Sequence, residues 1–337
     1  MHIENVKTIA DLAYLLHLRE SELIKMDPEH LYKTFQIAKP GTDEKRTIET
    51  PTENLKHILG QLSDSLQRLY SENKTAAAYG FVRTHEHDVD KRNIYTNAKK
   101  HLDKKYLVNM DFDNFFHQIT TDKLRNLFND YNLFAFLPET EELLTKLVTY
   151  HGRLPMGSPT SPSLSNFAAI PLDNELLLWC KFQNITYSRY VDDLSFSCDN
   201  PITDRHYNQM IDIMRSHRFE IDTNKTKWCG KKDVKEITGL IVGKKISIPD
   251  EFIEDFEKSI GKLSDVYSFS RHLPDQHVLE WIEKMKQMMQ GRLAFVGFVY
   301  GKKHPVYLKL KKHLEFAKTA GEIEESLSWR YAGYDIH

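Results

Sequence analysis

The stretch ITYSRYVDDLSFSC at residues 185–198 places two adjacent aspartates between two short apolar segments. After the aspartates, apolar and polar residues alternate, which is the period of a β-strand. We therefore predict a hairpin of two strands whose tight turn carries Asp192 and Asp193. Aspartate is a common turn former, so the pair alone is weak evidence of a site. Its place between apolar strands is more informative, because two adjacent charges are a poor choice for packing.

A second apolar segment, YLVNMDFD at residues 106–113, also reads as a short strand and ends in carboxylates. If it neighbours the hairpin in one sheet, Asp111 meets Asp192 and Asp193 at one edge. Carboxylates held that close repel each other unless cations neutralise them. Hard Mg²⁺ ions prefer such oxygen ligands, so the cluster predicts two-metal phosphoryl transfer. Asp113 is expected to be a helper or a solvent-exposed residue and not a ligand.

The rest of the chain is mainly helical in pattern. Apolar periodicity predicts a helical start over residues 9–23, an extended piece over 47–50, a helix from Thr52 and a buried helix over 161–180. After about residue 245, three amphipathic helices are expected, with a glycine and aromatic hinge at 291–301 before the third, at 306–316. A helical C-terminal subdomain on a mixed α+β body is the simplest architecture.

Composition is that of an ordinary globular protein: 337 residues, of which 40% are hydrophobic and 28% charged. No run of eighteen apolar residues occurs, so we expect no membrane association, and the N-terminus lacks the features of a signal peptide. The three cysteines are too few and too scattered for a disulfide framework or a zinc site. A reducing cytoplasm fits best.

The net charge of −2 does not by itself indicate a nucleic-acid binder, but the lysines are clustered. Such clusters can meet phosphates, although any one of them is more often a solvated helix face. The three clusters are Lys99, Lys100, Lys104 and Lys105; Lys225, Lys227, Lys231, Lys232 and Lys235; and Lys302, Lys303, Lys309, Lys311 and Lys312, with Tyr307 interleaved.

An ordered series of motifs resembles the palm of reverse transcriptases. The motifs are MDFDNFF at 110–116, LPMGSPTSPSLSN at 154–166, YVDDLSFS at 190–197 and ITGL at 237–240. The resemblance covers roughly residues 40–245. It implies an α+β, right-hand polymerase fold with fingers, a ferredoxin-like antiparallel-sheet palm and a helical thumb.

The resemblance also implies the limits of the subdomains. They are an N-terminal helical extension over residues 1–40, fingers over 41–105 with part of 117–155, a palm over 106–245, and a helical thumb with a C-terminal tail over 246–337. No low-complexity linker interrupts the sequence, so these parts are expected to pack closely.

By resemblance, Asp111, Asp192 and Asp193 are the catalytic metal-binding triad, and the backbone carbonyl of Phe112 completes one site. The implied cofactor is a pair of Mg²⁺ ions, with Mn²⁺ as a substitute. Lys225, in NKTK, resembles the lysine that protonates the pyrophosphate leaving group. Lys227 lies close by in the sequence and is the alternative.

Five positions match the family's pocket for a deoxynucleoside triphosphate: Arg46, Arg83, Phe116, Met156 and Gly157. The two arginines would grip the triphosphate, because a guanidinium binds phosphate oxygens bidentately. Phe116 falls at the steric gate that excludes a 2′-hydroxyl, whereas Phe115 is expected in the core. Met156 stands where most relatives have Gln, so nucleotide contacts or fidelity would differ.

Two elements resemble the retron enzymes in particular, namely NAKKH at 97–101 and ITGL. The resemblance implies a bacterial cytoplasmic enzyme that copies part of a cognate structured non-coding RNA into DNA. Priming would use a guanosine 2′-hydroxyl, and a separate effector protein would complete an anti-phage module. The expected RNA contacts are Asn97, His101, Lys302, Lys303, Tyr307, Lys309, Lys311 and Lys312.

Several alternatives stay open at this stage. The insertion at residues 84–96 and the departure at Met156 leave room for another defence-associated or group II intron-like reverse transcriptase. An RNA-binding scaffold with a decayed polymerase site has no need of the intact acidic cluster. A two-metal nuclease leaves the LPMGSPTSP loop without a role. A mobile-intron maturase would carry a DNA-binding or endonuclease extension after the thumb.

Overall fold

The computed structural model describes residues 1–38, 45–85, 87–89, 91–130, 132–270 and 276–317. The chain forms two compact units, one of residues 1–238 and one that begins at Gly239. Among the described helices, none is long and apolar enough to cross a membrane. The subdomain limits given above remain predictions.

The first unit opens with helices and a hairpin. These are α1 (Ile9–Leu15), α2 (Glu20–Ile24), β1 (Tyr32–Ala38), β2 (Lys45–Pro51) and α3 (Glu53–Asn73). Thr8 and Asp11 begin α1 with reciprocal hydrogen bonds between each side chain and the other residue's backbone amide. The predicted helical start, extended piece and helix after Thr52 are therefore confirmed.

Helix α3 contributes one apolar face to the core. Its buried residues recur at the spacing of an amphipathic helix and include Leu55, Ile58, Leu59, Leu62, Leu66 and Leu69. At the C-terminal end of the helix, Tyr70 meets Phe167 edge to face, with ring centroids 5.1 Å apart. This contact joins α3 to the segment that follows the LPMGSPTSP loop.

A four-stranded antiparallel sheet lies at the centre of the first unit. Its strands are β3 (Tyr106–Asp111), β4 (Thr186–Tyr190), β5 (Asp193–Cys198) and β6 (Lys227–Cys229), in the order β4-β5-β3-β6. The predicted hairpin and its neighbouring strand are confirmed. Every residue of β5 after Asp193 is buried, so both faces of this strand are covered and its alternation in sequence does not mark a solvent face.

Helices surround the sheet. They are α4 (Ile94–Lys99), α5 (Thr121–Phe128), α6 (Pro138–Val148), α7 (Ser161–Ala168), α8 (Ile170–Gln183) and α9 (Asp204–Ser216), and the unit ends in the short strand β7 (Glu236–Ile237). The prediction of one helix over 161–180 was wrong, because the chain forms two helices that meet at Ala169. Pro171 has no amide hydrogen to continue the first helix, and it suits the first turn of the second.

The second unit contains a small antiparallel pair and helices. They are β8 (Leu240–Val242), β9 (Ile246–Ser247), α10 (Asp250–Ser270) and α11 (Gln276–Tyr300), and residues 305–317 are helical. Phe252 of α10 packs edge-on against Phe295 of α11, with ring centroids 5.2 Å apart.

The predicted hinge over 291–301 was wrong, since α11 continues to Tyr300 and Gly301 follows it with φ +86°. Gly297 lies inside the helix, and a Cβ there would come within 2.8 Å of the Tyr307 ring. The glycine serves close packing of the next helix and not a bend.

Candidate active site

The sheet register brings the three predicted catalytic carboxylates together. Asp111 ends β3 directly opposite Asp193, the first residue of β5. Asp192 precedes it in the turn, where its carbonyl accepts a hydrogen bond of 3.1 Å from the amide of Phe112. The carboxyl groups of Asp111 and Asp193 are close enough for each to affect the other's charge. One edge of one sheet therefore holds all three side chains, as the sequence predicted.

The cluster is electrostatically unfavourable for three negative charges. Asp193 lies at an exposed position of the turn, but its carboxyl group is crowded by surrounding atoms. That desolvation, the nearby Asp111 carboxyl group and the charge of Asp192 raise the pKa of Asp193 to about 8. Desolvation also raises the pKa of Asp192, with a further contribution from Asp111. Such a site is stabilised by protons or cations.

The donor chemistry of the cluster fits a hard divalent cation. Its three carboxylates are oxygen donors of the kind that Mg²⁺ prefers, and the predicted fourth donor, the backbone carbonyl of Phe112, stays a prediction. Within the described parts of the chain, however, no three or more His, Cys, Asp or Glu side chains are arranged so that they could hold a metal ion. The fit therefore rests on the type of donor and on the charge of the cluster.

A cavity of about 490 Å³ opens in front of the acidic turn. Its wall includes Lys45, Arg46, Thr47, Phe81, Phe112, Asn114, Phe115, Phe116, His117, Met156, Tyr190, Val191, Asp192, Asp193 and Lys225. Of the predicted nucleotide-pocket residues, Arg46, Phe116 and Met156 line it. Arg83 does not line the cavity. Its guanidinium is exposed and lies 3.9 Å from the Asp64 carboxylate.

The two adjacent phenylalanines have different environments. Phe115 is buried and stacks on Phe112, with ring centroids 5.0 Å apart, so its predicted place in the core is confirmed. Phe116 is half-buried and its ring lies in the cavity wall. A short 3-10 helix from Phe115 to Gln118 aims the two rings in these directions, after a left-handed residue at Asn114.

Gly157 supports the pocket from outside its wall. Its φ is +130°, and a Cβ would lie 2.9 Å from the backbone oxygen of Glu49. The loop is fastened to β2 there, since the Glu49 amide donates to the Met156 carbonyl at 2.7 Å. Gly157 thus has a packing role that lets Met156 reach the cavity, and its predicted contact with the nucleotide stays a prediction.

The structure distinguishes between the two candidate lysines. Lys225 lines the cavity, and its ammonium lies 3.2 Å from the Asp222 carboxylate. Desolvation lowers the pKa of Lys225, but the Asp222 hydrogen bond and the charge of Asp111 outweigh it, and the net shift is upward. Lys227 belongs to β6, opposite Asn109, and does not line the cavity.

The retron-like NAKKH segment lies behind the hairpin. Asn97 and His101 are 1% and 2% exposed, so the predicted RNA contacts of these two side chains were wrong. The two ring nitrogens of His101 lie 2.7 Å from the hydroxyls of Ser188 on β4 and Ser197 on β5. The histidine thus joins the two strands of the catalytic hairpin.

The remaining predicted RNA contacts lie in the second unit. Lys302, Lys303, Lys309, Lys311 and Lys312 are all exposed. The ammonium of Lys309 is 2.7 Å from Glu257, and that of Lys311 is 3.5 Å from Glu315. Tyr307 is half-buried against Gly297.

Sequence reasoning missed two polar clusters that support the site. In the first, Arg153 holds the 4% exposed Glu49 through two hydrogen bonds of 2.9 Å, and His117 lies 3.3 Å from the same carboxylate. In the second, Arg189 and Asp173 form a fully buried ion pair of 2.7 Å. The sequence contains a sign of the second cluster, because Arg189 is a charged residue inside an otherwise uncharged strand.

An antiparallel sheet has three carboxylates at one edge, and two of them, Asp192 and Asp193, line a cavity together with basic and aromatic side chains. This arrangement is that of the palm of a nucleic-acid polymerase. Residues 37–242 match the family model described as reverse transcriptase (RNA-dependent DNA polymerase). The chain therefore belongs to the reverse transcriptase family, and within it to the retron-type enzymes.

Two curated relatives and one solved structure are similar to this chain to different degrees. The chain is 30% identical over 264 residues to the retron Ec83 reverse transcriptase of Escherichia coli, covering 72% of this chain and 81% of that one. It is 26% identical over 262 residues to the retron Ec86 enzyme of the same organism, covering 74% of each. A telomerase structure from Candida albicans gives a TM-score of 0.44 at 12% identity, covering 86% of this chain and 60% of that one.

Proposed function

We propose that this chain is the polymerase of a bacterial retron, which copies part of a cognate structured non-coding RNA into single-stranded DNA. The observation that carries the proposal is the convergence of Asp111, Asp192 and Asp193 at one sheet edge, where Asp192 and Asp193 line a cavity. Membership of the reverse transcriptase family supports RNA as the template and DNA as the product. The retron relatives support the assignment to a retron.

The residues around the cavity have separate roles in nucleotidyl transfer. Arg46 lies where its guanidinium can hold the triphosphate, and Phe116 lies where its ring can exclude a 2′-hydroxyl. The raised pKa of Lys225 keeps its ammonium protonated at neutral pH, so it can donate a proton to the pyrophosphate oxygen as that group leaves. Two Mg²⁺ ions, held by the carboxylates and the Phe112 carbonyl, would activate the attacking hydroxyl and stabilise the leaving oxygen.

Recognition of the RNA would fall in part to the exposed lysines of the second unit. Structured RNA is bound mainly through shape and phosphate contacts, and Lys302, Lys303 and Lys312 supply positive charge at its surface. We propose priming from a guanosine 2′-hydroxyl of that RNA. A separate effector protein would use the RNA–DNA product in anti-phage defence in the bacterial cytoplasm.

The proposal is tested by purifying the protein from its native host and sequencing the nucleic acid that accompanies it, before and after RNase treatment. A short structured RNA joined to a discrete single-stranded DNA through an RNase-resistant branch is the expected result. DNA without a branch, or DNA made of repeats, would keep the polymerase but exclude the proposed priming. Absence of bound nucleic acid together with absence of magnesium-dependent synthesis would overturn the proposal.

Substitution Asp192→Asn gives the matched catalytic test. DNA synthesis on a primed RNA template should be lost, because one oxygen ligand and its charge are removed from the cluster. Stability at neutral pH should be kept or raised, because the pKa of Asp192 is raised by desolvation and its ionised form is disfavoured in the fold. Thermal melting and RNA binding serve as controls, and undiminished synthesis by the purified variant would contradict the assignment.

A further inference from the structure

The turn that carries the catalytic aspartates is held in an unusual backbone conformation. Val191, directly before Asp192, has φ +63°. A β-branched residue rarely adopts this left-handed conformation, because its Cβ comes too close to the neighbouring carbonyl oxygen. Such a residue persists where surrounding contacts over-determine it. Contacts on both sides of the turn hold Val191 in this conformation.

One side of the turn is held by Arg189. Its Nη1 donates to the Val191 carbonyl at 3.0 Å and to Asn166 Oδ1 at 2.9 Å. The other nitrogens of the guanidinium donate to the Asp173 carboxylate, at 2.9 Å from Nε and 2.7 Å from Nη2. Both charged side chains are 0% exposed. Thr75 and Tyr187 also donate to Asp173, each at 2.9 Å.

The other side of the turn is held by the segment around Gly80. A Cβ at Gly80 would lie 2.5 Å from Val191 Cγ2 and 2.7 Å from the Val191 amide nitrogen. The Gly80 carbonyl accepts a hydrogen bond of 3.0 Å from Asn166 Nδ2. Asn166 therefore joins the glycine on one side of Val191 to the guanidinium on the other.

We propose that Arg189 is a positioning residue for DNA synthesis: fixed by Asp173 and Asn166, it holds Val191 in the left-handed conformation and thereby sets the direction of Asp192 and Asp193. The inference rests on the proposed function of the acidic cluster. Arg189 is 0% exposed and does not line the cavity, so it acts on the aspartates through the backbone of Val191.

The geometry explains why a charged pair occupies the core here. A buried ion pair is weak evidence for stability, since apolar residues of similar size often do as well. Only the guanidinium, with five donors in a planar fork, can engage a carboxylate, an amide oxygen and a backbone carbonyl together. Rigid placement is what catalysis requires, since a displacement of about 1 Å can cost a factor on the order of 100.

The double variant Arg189→Met/Asp173→Asn separates positioning from stability. It removes both buried charges at once. The amide oxygen of the introduced asparagine can still accept from one of the Thr75 and Tyr187 hydroxyls, which contact different oxygens of Asp173, and its amide nitrogen can donate to the other hydroxyl. We expect a cooperatively folded protein whose kcat for deoxynucleotide incorporation falls about 10- to 100-fold, with KM for the nucleotide little changed. The burst amplitude counts competent sites, so a merely structural defect would lower the amplitude and leave the rate per competent site unchanged.

The double variant Arg68→Met/Glu4→Gln is the matched control. It removes another two-bonded ion pair of the first unit, with both contacts at 2.9 Å, that does not touch the hairpin. Its kcat per competent site should equal that of the wild type.

A wild-type kcat per competent site in a folded Arg189→Met/Asp173→Asn protein would overturn the inference. If that protein does not fold, Arg189→Lys decides the matter, because it keeps the charge for Asp173 and loses the fork. A lowered kcat in Arg189→Lys supports positioning, and an unchanged kcat overturns it. Failure of the wild type to extend a primed RNA template would instead refute the proposed function.

Discussion

At the residue scale, the environment of each side chain decides whether its substitution changes activity or stability. Phe115 and Phe116 are adjacent and both line the cavity, yet Phe115 is buried and stacks on Phe112, whereas Phe116 is half-buried. His101 lies behind the catalytic hairpin and contacts neither the cavity nor solvent. Substitutions at these positions should therefore give distinct kinetic and thermodynamic results.

Replacement of Phe116 by Ala should admit ribonucleotides, because it removes the ring that would meet a 2′-hydroxyl. We expect the preference for deoxynucleotides, measured as the ratio of the two kcat/KM values, to fall about 10- to 100-fold. Phe128→Leu is the control, because that ring is buried and does not line the cavity, and it should lower the melting temperature without changing the ratio. An unchanged ratio in Phe116→Ala would remove the steric-gate role.

His101 should make stability depend on pH. Burial, with smaller contributions from the charges of Lys100 and Lys104, lowers its pKa to about 3. The unfolded chain takes up the proton near the ordinary value of about 6.5, so this contribution to stability is complete above that pH. It is lost as the pH falls from about 6.5 toward 3, by about 1.4 kcal/mol per pH unit inside that window.

Denaturant unfolding at pH 7, 6 and 5 measures the effect. His101→Gln should be less stable at pH 7, because it loses hydrogen bonds to Ser188 and Ser197, and should lose less stability than wild type on acidification. Parallel pH curves for the two proteins would show that His101 is not the group responsible.

At the element scale, the pocket depends on how a loop lies against a strand. The LPMGSPTSP loop is fastened to β2 by the Glu49 amide and by the carboxylate of the same residue, which Arg153 holds in place. Gly157 permits the close approach. The position of Met156 in the cavity is therefore a property of two packed elements together.

Substitution Gly157→Ala tests this packing. The new methyl group would meet the Glu49 carbonyl at 2.9 Å, in a backbone conformation that suits glycine. We expect a loss of about 2–5 kcal/mol of stability from strain and overpacking, and a raised KM for the deoxynucleotide. Gly152→Ala is the control, since its φ is +74° but nothing lies within 4 Å. It should cost about 1–2 kcal/mol and leave KM unchanged, and equal KM values in the two variants would contradict the role of Gly157.

At the scale of the whole molecule, the net charge of −2 conceals a strongly uneven distribution. Among the exposed lysines of the second unit, Lys309 and Lys311 have carboxylate partners nearby, whereas Lys302, Lys303 and Lys312 are the stronger candidates for phosphate contacts. RNA binding through these three should be electrostatic and sensitive to salt.

Simultaneous replacement of Lys302, Lys303 and Lys312 by Ala should weaken RNA binding and reduce the slope of log affinity against log salt by about 2 to 3. Thermal stability should change little, since all three side chains are exposed. The control replaces three exposed lysines of the first unit, Lys25, Lys146 and Lys181, with the same change in net charge. Equal slopes for both triple variants would show that the effect is one of net charge alone.

The sequence by itself predicted the hairpin that carries Asp192 and Asp193, the strand that ends in Asp111 and the helix along Leu55 to Leu69. Each rests on a local pattern of periodicity, turn chemistry or ordered motifs, which survives without knowledge of distant contacts. The burial of Phe115 and the choice between Lys225 and Lys227 needed spatial neighbours, although the motifs had narrowed the candidates.

Only the tertiary structure decided what His101, Gly157 and Arg189 do. Their partners lie 87 and 96 residues away for His101, and 16 and 23 residues away for two contacts of Arg189. Gly157 meets a strand more than a hundred residues earlier in the chain. Hydrogen bonding and steric exclusion act over a few ångströms of space, so a one-dimensional pattern marks such residues as unusual without naming what they touch.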